Sequence, residues 1–268
     1  MRTPEIIRRR GWELMRLTSD AVSVDVVPGK GADILSVRRR RDDLELLWQS
    51  PWGLRQCGAL SGGGDSVSRL MEAYPGGWQT VFPNGGDAVC EHGVEWGMHG
   101  EAWLTPFDTR VDGPSSLTLT ARLVRSPFTI EKHVVLAGPR LTVTEHITNV
   151  GGHDVEAMWI HHPAFGSPLL SPDSVLEVSG GTVVVDDRRD LPSSDLGLGV
   201  QASWPHVPAR DGSSLDLRRV PAADAGVDRM AYVTGVTDGR ASLRNPRLDV
   251  GVVLEWDTAT MPHAWYWL

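Results

Sequence analysis

Cysteine is almost absent from this chain of 268 residues, which contains only Cys57 and Cys90. Two cysteines are too few for a disulfide framework, and they are not spaced like the paired cysteines of a zinc site. Long hydrophobic runs are also missing, because no stretch approaches the roughly 18 consecutive apolar residues of a membrane span. Lysine is equally scarce: of the 26 lysines and arginines, only Lys30 and Lys132 are lysines. From the sequence alone we assign no function to this excess of arginine over lysine. These absences predict neither a metal site nor a membrane partner.

An excess of positive charge is absent as well. The net charge is −8, whereas a protein that binds nucleic acid needs a basic face for the backbone phosphates. Segment 1–16 carries three consecutive arginines with no apolar stretch behind them, which is unlike a secretory signal peptide. We therefore expect a cytoplasmic protein with no nucleic-acid partner. Its oligomeric state is not indicated by the sequence.

What the chain does contain is short alternation of apolar and polar residues, bounded by Gly, Pro, Asp and Ser. Alternation with a period of two residues is typical of a half-buried strand. It recurs in segments 21–27, 116–124, 141–148 and 250–256. Helical periodicity is nearly absent, so the sequence predicts an all-β fold.

The predicted organisation is a single domain. Segments 53–77 and 186–219 lack strand periodicity and are expected to be long loops. No repeat of about 20–50 residues is visible, which argues against a propeller or a solenoid. Because no composition shift marks a boundary, we predict that one large antiparallel β-sandwich spans residues 1–268.

Three segments stand apart from the strand pattern, namely 76–87, 98–103 and 158–166. The last of them places His161 and His162 before a proline, at a strand end where backbone pairing stops and a pocket can open. Trp159 and Phe165 lie beside these histidines and offer flat apolar faces, which suit the C–H faces of a pyranose ring. The three segments are therefore candidates for a sugar site.

These segments resemble motifs of the galactose mutarotase-like superfamily, which includes the aldose 1-epimerases. Its members carry one histidine in a His-Gly motif and a second in a His-Pro-x-Phe motif. His99-Gly100 and His162-Pro163-Ala164-Phe165 match these motifs in the same order. Segments 28–37 and 46–48 are similar to the opening hairpin of the family, so the resemblance extends over nearly the whole chain. It implies a large twisted β-sandwich, the galactose mutarotase-like supersandwich, with a sugar held in a groove on one sheet.

The family also has a glutamate at a strand end, followed five positions later by proline. In this chain the spacing to Pro262 selects Asp257, whereas residue identity selects Glu255. The two carboxylates are two positions apart in a predicted strand and should point to the same face. Both remain candidates, and the spacing slightly favours Asp257.

The resemblance implies an aldose 1-epimerase-like reaction that interconverts the α and β anomers of a sugar without a cofactor. A base removes the proton of the anomeric hydroxyl while an acid protonates the ring oxygen, and an imidazole suits this exchange because it titrates near neutrality. By resemblance, His162 is the acid, Asp257 or Glu255 is the base, and His99 orients the sugar. Further candidates for sugar contacts are Trp78, Gln79, Glu101, Trp159, Phe165 and Arg69.

The expected sugar is neutral. A branch of the superfamily that handles hexose 6-phosphates carries an arginine just before its Gly-Gly motif and another shortly after its His-Gly motif. In this chain the matching positions hold Pro75 and Trp103, so both phosphate-facing cations are missing. Glu101 only accepts hydrogen bonds when ionised, which fits sugar hydroxyls better than phosphate.

Two other functions are compatible with these residues. A metal-dependent sugar isomerase could use His99, Glu101, His161 and His162. Adjacent strand residues point to opposite faces, however, so His161 and His162 are not expected to share one ion. A non-catalytic carbohydrate-binding protein could keep the groove and lose the base, because a fold does not fix a function.

Overall fold

The structure is a computed structural model that describes residues 3–59, 64–188 and 190–268. Strands dominate it, and the pairing within each of its sheets is antiparallel, which confirms the predicted all-β class. The chain divides into two compact units, one ending at Gly166 and the other beginning at Ser167. That a single domain spans residues 1–268 stays a prediction.

The first unit consists of strands with one 3-10 turn (Ala102–Leu104) and the helix α1 (Ser66–Ala73). Its strands are β1 (Glu5–Arg9), β2 (Trp12–Thr18), β3 (Val22–Val27), β4 (Asp33–Arg39), β5 (Leu44–Glu45), β6 (Trp78–Val81), β7 (Val89–Glu91), β8 (Val94–Trp96), β9 (Asp108–Gly113), β10 (Ser116–Arg122), β11 (Phe128–Ala137), β12 (Arg140–Asn149) and β13 (Ile160–Pro163). A seven-stranded sheet has the order β1-β2-β3-β4-β6-β13, with β5 added beside β4. A four-stranded sheet has the order β12-β11-β10-β9, and β7 pairs with β8.

The two larger sheets of this unit share one hydrophobic core. Val24 and Ile34 of the seven-stranded sheet are buried in the same cluster as Leu117 and Ile130 of the four-stranded sheet. Strand β11 shows why the sequence pairs in this way, since its buried and more exposed residues alternate along the strand. Lys132 occupies one of the inward positions of that alternation and is itself buried.

The second unit has smaller sheets. Its strands are β14 (Val175–Val178), β15 (Thr182–Val184), β16 (Gln201–Ser203), β17 (His206–Pro208), β18 (Ser214–Asp216), β19 (Met230–Thr234), β20 (Arg240–Asn245), β21 (Val250–Glu255) and β22 (His263–Trp267), with 3-10 turns at Ala223–Ala225 and Pro246–Leu248. They form sheets of order β14-β20-β21, β16-β15-β19-β22 and β17-β18. A separate core, which includes Val183, Leu217 and Ala231, holds this unit together.

The two predicted loops have more structure than the sequence indicates. Segment 53–77 contains helix α1, which begins after Asp65, whose carboxylate accepts a hydrogen bond from the Ser68 backbone N–H at 2.8 Å. Its central glycines at 62 and 63 lie outside the described residues. Segment 186–219 contains β16, β17 and β18, so its prediction as a loop was wrong: strands of three residues are too short for alternation to be visible. In the described ranges no helix is both long and apolar enough to span a membrane.

Candidate functional site

Adjacent histidines on β13 face opposite sides of the seven-stranded sheet. Strand β13 pairs with β6, which sets His161 opposite Thr80 and His162 opposite Gln79. The two imidazoles consequently meet different neighbours, as strand alternation predicts.

His161 has a partner for each ring nitrogen. The Trp78 indole N–H donates to His161 Nδ1 at 3.1 Å, and His161 Nε2 lies 3.5 Å from a carboxylate oxygen of Glu145. The same Glu145 oxygen accepts a hydrogen bond from the Trp159 indole at 2.9 Å. Burial lowers the pKa of His161, and the negative charge of Glu145 acts in the opposite direction but is the smaller effect. Because each ring nitrogen already has a partner, neither is free to exchange a proton with a ligand.

Glu145, the carboxylate that contacts His161, forms an ion pair with Lys132. The Lys132 ammonium lies 3.0 Å from Glu145, and it also donates a hydrogen bond to the Thr80 hydroxyl at 2.9 Å. Burial disfavours the charged form of Glu145, but Lys132 and His161 outweigh that effect and lower the pKa of this carboxyl to about 2. The hydrogen bonds and ion pairs around Glu145 therefore stabilise the fold on the side of the sheet that His161 faces.

His162 lies on the other face, among rings rather than hydrogen-bond partners. It stacks on Tyr74 with ring centroids 5.9 Å apart, and the edge of His99 meets it at 5.8 Å. Its buried Nδ1 has no hydrogen-bond partner. Burial, with a smaller contribution from the nearby His99, lowers the pKa of His162 to about 4, so the ring is uncharged at neutral pH.

The His-Gly motif forms a tight turn that delivers His99 to this place. His99 has φ +62° and Gly100 has φ +71°, so two consecutive residues are left-handed. A Cβ on Gly100 would lie 2.3 Å from the Phe82 carbonyl oxygen, which excludes any other residue there. The His99 N–H bonds the Gly86 carbonyl at 3.2 Å. A non-glycine residue in this conformation is strained, and such strain is concentrated at functional sites.

A buried carboxylate, Asp33, is linked to His162 through Gln79, the residue opposite His162 in the strand register. Gln79 is fully buried beside His162, and its amide N–H donates to Asp33 at 3.2 Å. Asp33 also forms an ion pair with Lys30, and both side chains are at most 4% exposed. Burial raises the pKa of Asp33, although Lys30 acts in the opposite direction. We call Asp33, Tyr74, Gln79, His99 and His162 the imidazole cluster.

The imidazole cluster is where buried polar atoms are left without partners. Among the described residues, few buried side-chain nitrogens or oxygens lack a hydrogen bond, and four of those atoms belong to this cluster, namely Asp33 Oδ1, Gln79 Oε1, His99 Nδ1 and His162 Nδ1. Native proteins satisfy nearly all such atoms, so a local concentration of exceptions marks a candidate ligand site.

Three predicted sugar contacts lie apart from these atoms. Trp78 and Trp159 point to the face of His161, where their indoles are used as described above. Phe165 forms a bridge with Leu47 and packs against the core. The aromatic signal in the sequence did not distinguish the two faces of the sheet.

Of the two charged residues predicted to contact the sugar, Glu101 has its carboxylate bonded elsewhere. Both carboxylate oxygens of Glu101 accept hydrogen bonds from residues 124–126, including the Ser126 N–H at 2.9 Å and the Ser126 hydroxyl at 2.7 Å. Glu101 thus fastens the turn between β10 and β11. Arg69 lies on helix α1 and is half-buried.

The predicted carboxylate bases belong to the second unit. Strand β21 ends at Glu255, so Asp257 lies beyond it, and the alternation that was expected to place both on one face does not reach Asp257. Asp257 instead binds its own turn, accepting from the Ala259 N–H at 3.0 Å and the Thr260 hydroxyl at 2.7 Å. These hydrogen bonds, that of Thr260 first, lower the pKa of Asp257. Glu255 is exposed, 4.0 Å from Arg240.

Sequence reasoning missed Asp33 and Tyr74. Asp33 lies in segment 28–37, which resembles the opening hairpin of the family, but it was given no role, and Tyr74 belongs to no recognised motif. One available signal was the scarcity of lysine, because the chain's two lysines each form a buried ion pair, Lys30 with Asp33 and Lys132 with Glu145. Glu145 contacts His161, and Asp33 accepts a hydrogen bond from Gln79, which lies opposite His162 in the strand register. For metal binding, the described parts of the chain hold no group of three His, Cys, Asp or Glu side chains that could bind an ion.

The lowered pKa of His162 predicts a loss of stability in mild acid. Between about pH 6.5, where histidine titrates in the unfolded chain, and about pH 4, the unfolded chain binds a proton that the folded protein does not. The free energy of unfolding should therefore fall as the pH is lowered through this window, with His162 contributing roughly 3 kcal/mol or less. Urea titrations at several pH values should show a weaker pH dependence in His162→Gln than in the wild type. An unchanged dependence would contradict a buried neutral His162, and His153→Gln, at an exposed turn, is the control.

Several solved structures of galactose mutarotase-like proteins are similar to this chain. A galactose mutarotase related enzyme from Lactobacillus acidophilus is 17% identical, with a TM-score of 0.63 over 94% of this chain and 79% of that one. A galactose mutarotase-like protein from Lactobacillus casei is 19% identical, with a TM-score of 0.59 over 94% and 81%. Another, from Clostridium acetobutylicum, is 12% identical, with a TM-score of 0.63 over 93% and 79%. The chain therefore has the galactose mutarotase-like fold, as the sequence motifs predict.

Sequence comparison leads to a family without an assigned activity. No curated protein matches the chain. A family model described as a domain of unknown function, DUF4432, matches residues 9–268. Because this match extends over almost the whole sequence, the chain belongs to the DUF4432 family.

Proposed function

We propose that this protein binds a neutral aldose and interconverts its α and β anomers. The observation that carries the proposal is the pair of facing imidazoles, His99 and His162, each with a buried and unpartnered Nδ1. Burial lowers the pKa of both rings, so near pH 7 each offers one N–H and one lone pair. Anomer interconversion requires this combination, because one oxygen of the sugar loses a proton while another gains one.

In this proposal His162 acts on the ring oxygen, the role that the sequence resemblance implies. Its N–H stabilises the negative charge that develops on the ring oxygen as the bond to the anomeric carbon breaks. The stacked Tyr74 ring holds the plane of the imidazole, which preserves the direction of that N–H. The base that the resemblance implies, Asp257 or Glu255, stays a prediction.

The shared fold is a further observation that supports a sugar as the ligand. The similar solved structures are described as galactose mutarotase-like or related proteins, and a shared fold makes an aldose the first ligand to test.

Anomer-resolved proton NMR tests the proposal directly. Purified protein is added to a panel of neutral aldoses at equilibrium, and the exchange rate between the two anomeric signals is compared with that in buffer alone. We expect faster exchange with at least one aldose. Saturable binding without faster exchange would favour the non-catalytic carbohydrate-binding protein, and neither binding nor exchange would contradict both functions.

Neutral hexoses should be better substrates than their 6-phosphates. The positions where arginines are found in the phosphosugar branch hold buried Pro75 and Trp103, and the Trp103 indole is already bonded to the Gly100 carbonyl at 3.2 Å. Without a charge-assisted hydrogen bond to phosphate, we expect kcat/KM for the 6-phosphate to be at least about tenfold lower. Parallel exchange measurements on a hexose and its 6-phosphate check this, and equal or higher kcat/KM on the 6-phosphate would overturn it.

A further inference from the structure

We infer that the exposed edge of β1 binds the same strand of a second copy of this chain, which joins the seven-stranded sheets of the two copies into one continuous sheet. This inference concerns assembly, and it does not depend on the proposed function.

Strand β1 forms an edge of the seven-stranded sheet. It stands first in the order β1-β2-β3-β4-β6-β13 and pairs with β2. Four of its five residues are exposed, and the exposed fraction of Ile6 is 60%. An edge strand presents a row of N–H and C=O groups to which another strand can bind.

The turn after β1 determines which of these backbone groups are free. The two-residue loop Arg10-Gly11 joins β1 to β2, and its φ angles of +51° and +80° are those of a type I′ turn. Such a turn closes with a backbone hydrogen bond between its flanking residues, Arg9 and Trp12. Hydrogen-bonded and non-hydrogen-bonded pairs alternate along an antiparallel ladder. The N–H and C=O groups of Ile6 and Arg8 therefore point away from the sheet.

A twofold axis at Ile7 uses both of these free residues. Antiparallel pairing about this axis sets Ile6 opposite Arg8 of the second copy and Arg8 opposite its Ile6, so that each pair exchanges two backbone hydrogen bonds. The Ile7 residues of the two copies then lie opposite each other. Ile7 is half-buried against the cluster that contains Leu14 and Leu54, and its counterpart extends this apolar contact across the axis.

Charge complementarity selects a second copy as the partner of this edge. Glu5 and Arg9 lie at the two ends of β1, on the same face as Ile7. Pairing about Ile7 places Glu5 opposite Arg9 of the second copy and Arg9 opposite its Glu5. Opposite charges at facing positions stabilise an antiparallel pair, so both ends of the strand contribute to the contact.

Both charged side chains are available for this contact. Arg16 lies opposite Glu5 in the hairpin register, but its guanidinium is bonded to the two Asp25 oxygens at 2.6 and 2.7 Å. Within residues 3–59, 64–188 and 190–268, neither Glu5 nor Arg9 takes part in a salt bridge. The second copy supplies the missing counterion at each position.

Sedimentation velocity over a series of protein concentrations tests for this dimer. The contact is short, with five residues from each chain, so we expect a reversible monomer–dimer equilibrium rather than a permanent dimer. Added salt should shift the equilibrium towards the monomer, because the ion pairs lie at an exposed edge. A protein that stays monomeric at every concentration would overturn the inference.

Charge reversal at the ends of β1 identifies the interface. Glu5→Arg sets two arginines opposite each other, and Arg9→Glu sets two glutamates opposite each other, so each variant alone should raise the dissociation constant by about tenfold or more. An equimolar mixture of the two variants restores opposite charges at both ends and should dimerise like the wild type. Asp20→Arg, at an exposed turn, makes the same change in net charge as Glu5→Arg and is the matched control.

The mixture distinguishes the β1 edge from every other surface. Both substituted positions are exposed, so the variants should fold, and thermal unfolding checks this. Recovery of dimerisation in the mixture supports the antiparallel pairing about Ile7. Wild-type association in both single variants, or a mixture that associates no better than its components, overturns it.

Discussion

Replacing His162 with Gln is expected to lower kcat/KM for anomer interconversion by about 10²–10³-fold, the loss typical when one hydrogen-bond donor to a developing negative charge is removed. The glutamine roughly keeps the shape of the side chain, but its amide does not hold an N–H where the imidazole directs one to the ring oxygen. Tyr74 and His99 contact the ring without a hydrogen bond, and its Nδ1 has no partner in the described parts of the chain, so the substitution breaks no hydrogen bond of that nitrogen. The loss should therefore appear in kcat more than in folding, and NMR exchange rates together with thermal unfolding measure both.

The neighbouring histidine is the matched control for this experiment. His161 belongs to the same His-His-Pro run but bonds Trp78 and lies against Glu145 on the other face of the sheet. His161→Gln should lower stability and leave kcat within a few fold of the wild type. Full activity in His162→Gln, or an equal loss of activity in His161→Gln, would show that the face of the sheet does not decide which imidazole is functional.

The sequence predicts the fold and the two histidines because both depend on local patterns. Alternation in segment 116–124 corresponds to β10, and that in segment 250–256 to β21. The His-Gly motif is readable because its geometry excludes other residues, as the contact between Gly100 and the Phe82 carbonyl shows. The predicted all-β class and the galactose mutarotase-like fold therefore agree with the structure.

The partners of the side chains could not be predicted from these patterns. Trp78 and Gln79 are neighbours in sequence, yet one bonds His161 and the other lies beside His162, and only the strand register decides which. Asp257 was favoured by its spacing to Pro262, but β21 ends two residues before it and its carboxylate is used within its own turn. Such outcomes depend on where a strand ends, the least readable feature of a sequence.

Lys132→Met is expected to lower the free energy of unfolding by about 3–5 kcal/mol, because it leaves a buried carboxylate without its cation. Lys132 and Glu145 are directly opposite in the pairing of β11 with β12, and their side chains are 4% and 0% exposed. The Glu145 carboxylate would keep its bonds to the Thr80 hydroxyl and the Trp159 indole but lose the Lys132 ammonium, which lies 3.0 Å from it. Urea titration at pH 7 measures the effect.

The penalty should arise from the unpaired charge rather than from the loss of the lysine stem. Replacing both partners, as Lys132→Met with Glu145→Gln, removes the charges together and should recover most of the lost stability, since a buried pair gains little over neutral residues of similar size. Arg8→Met, at the exposed pair of Arg8 with Glu13, should change stability by less than about 1 kcal/mol. If the single Lys132 variant is as stable as the wild type, or if the double variant is no better than the single one, the charge on Glu145 does not control the stability of this sheet.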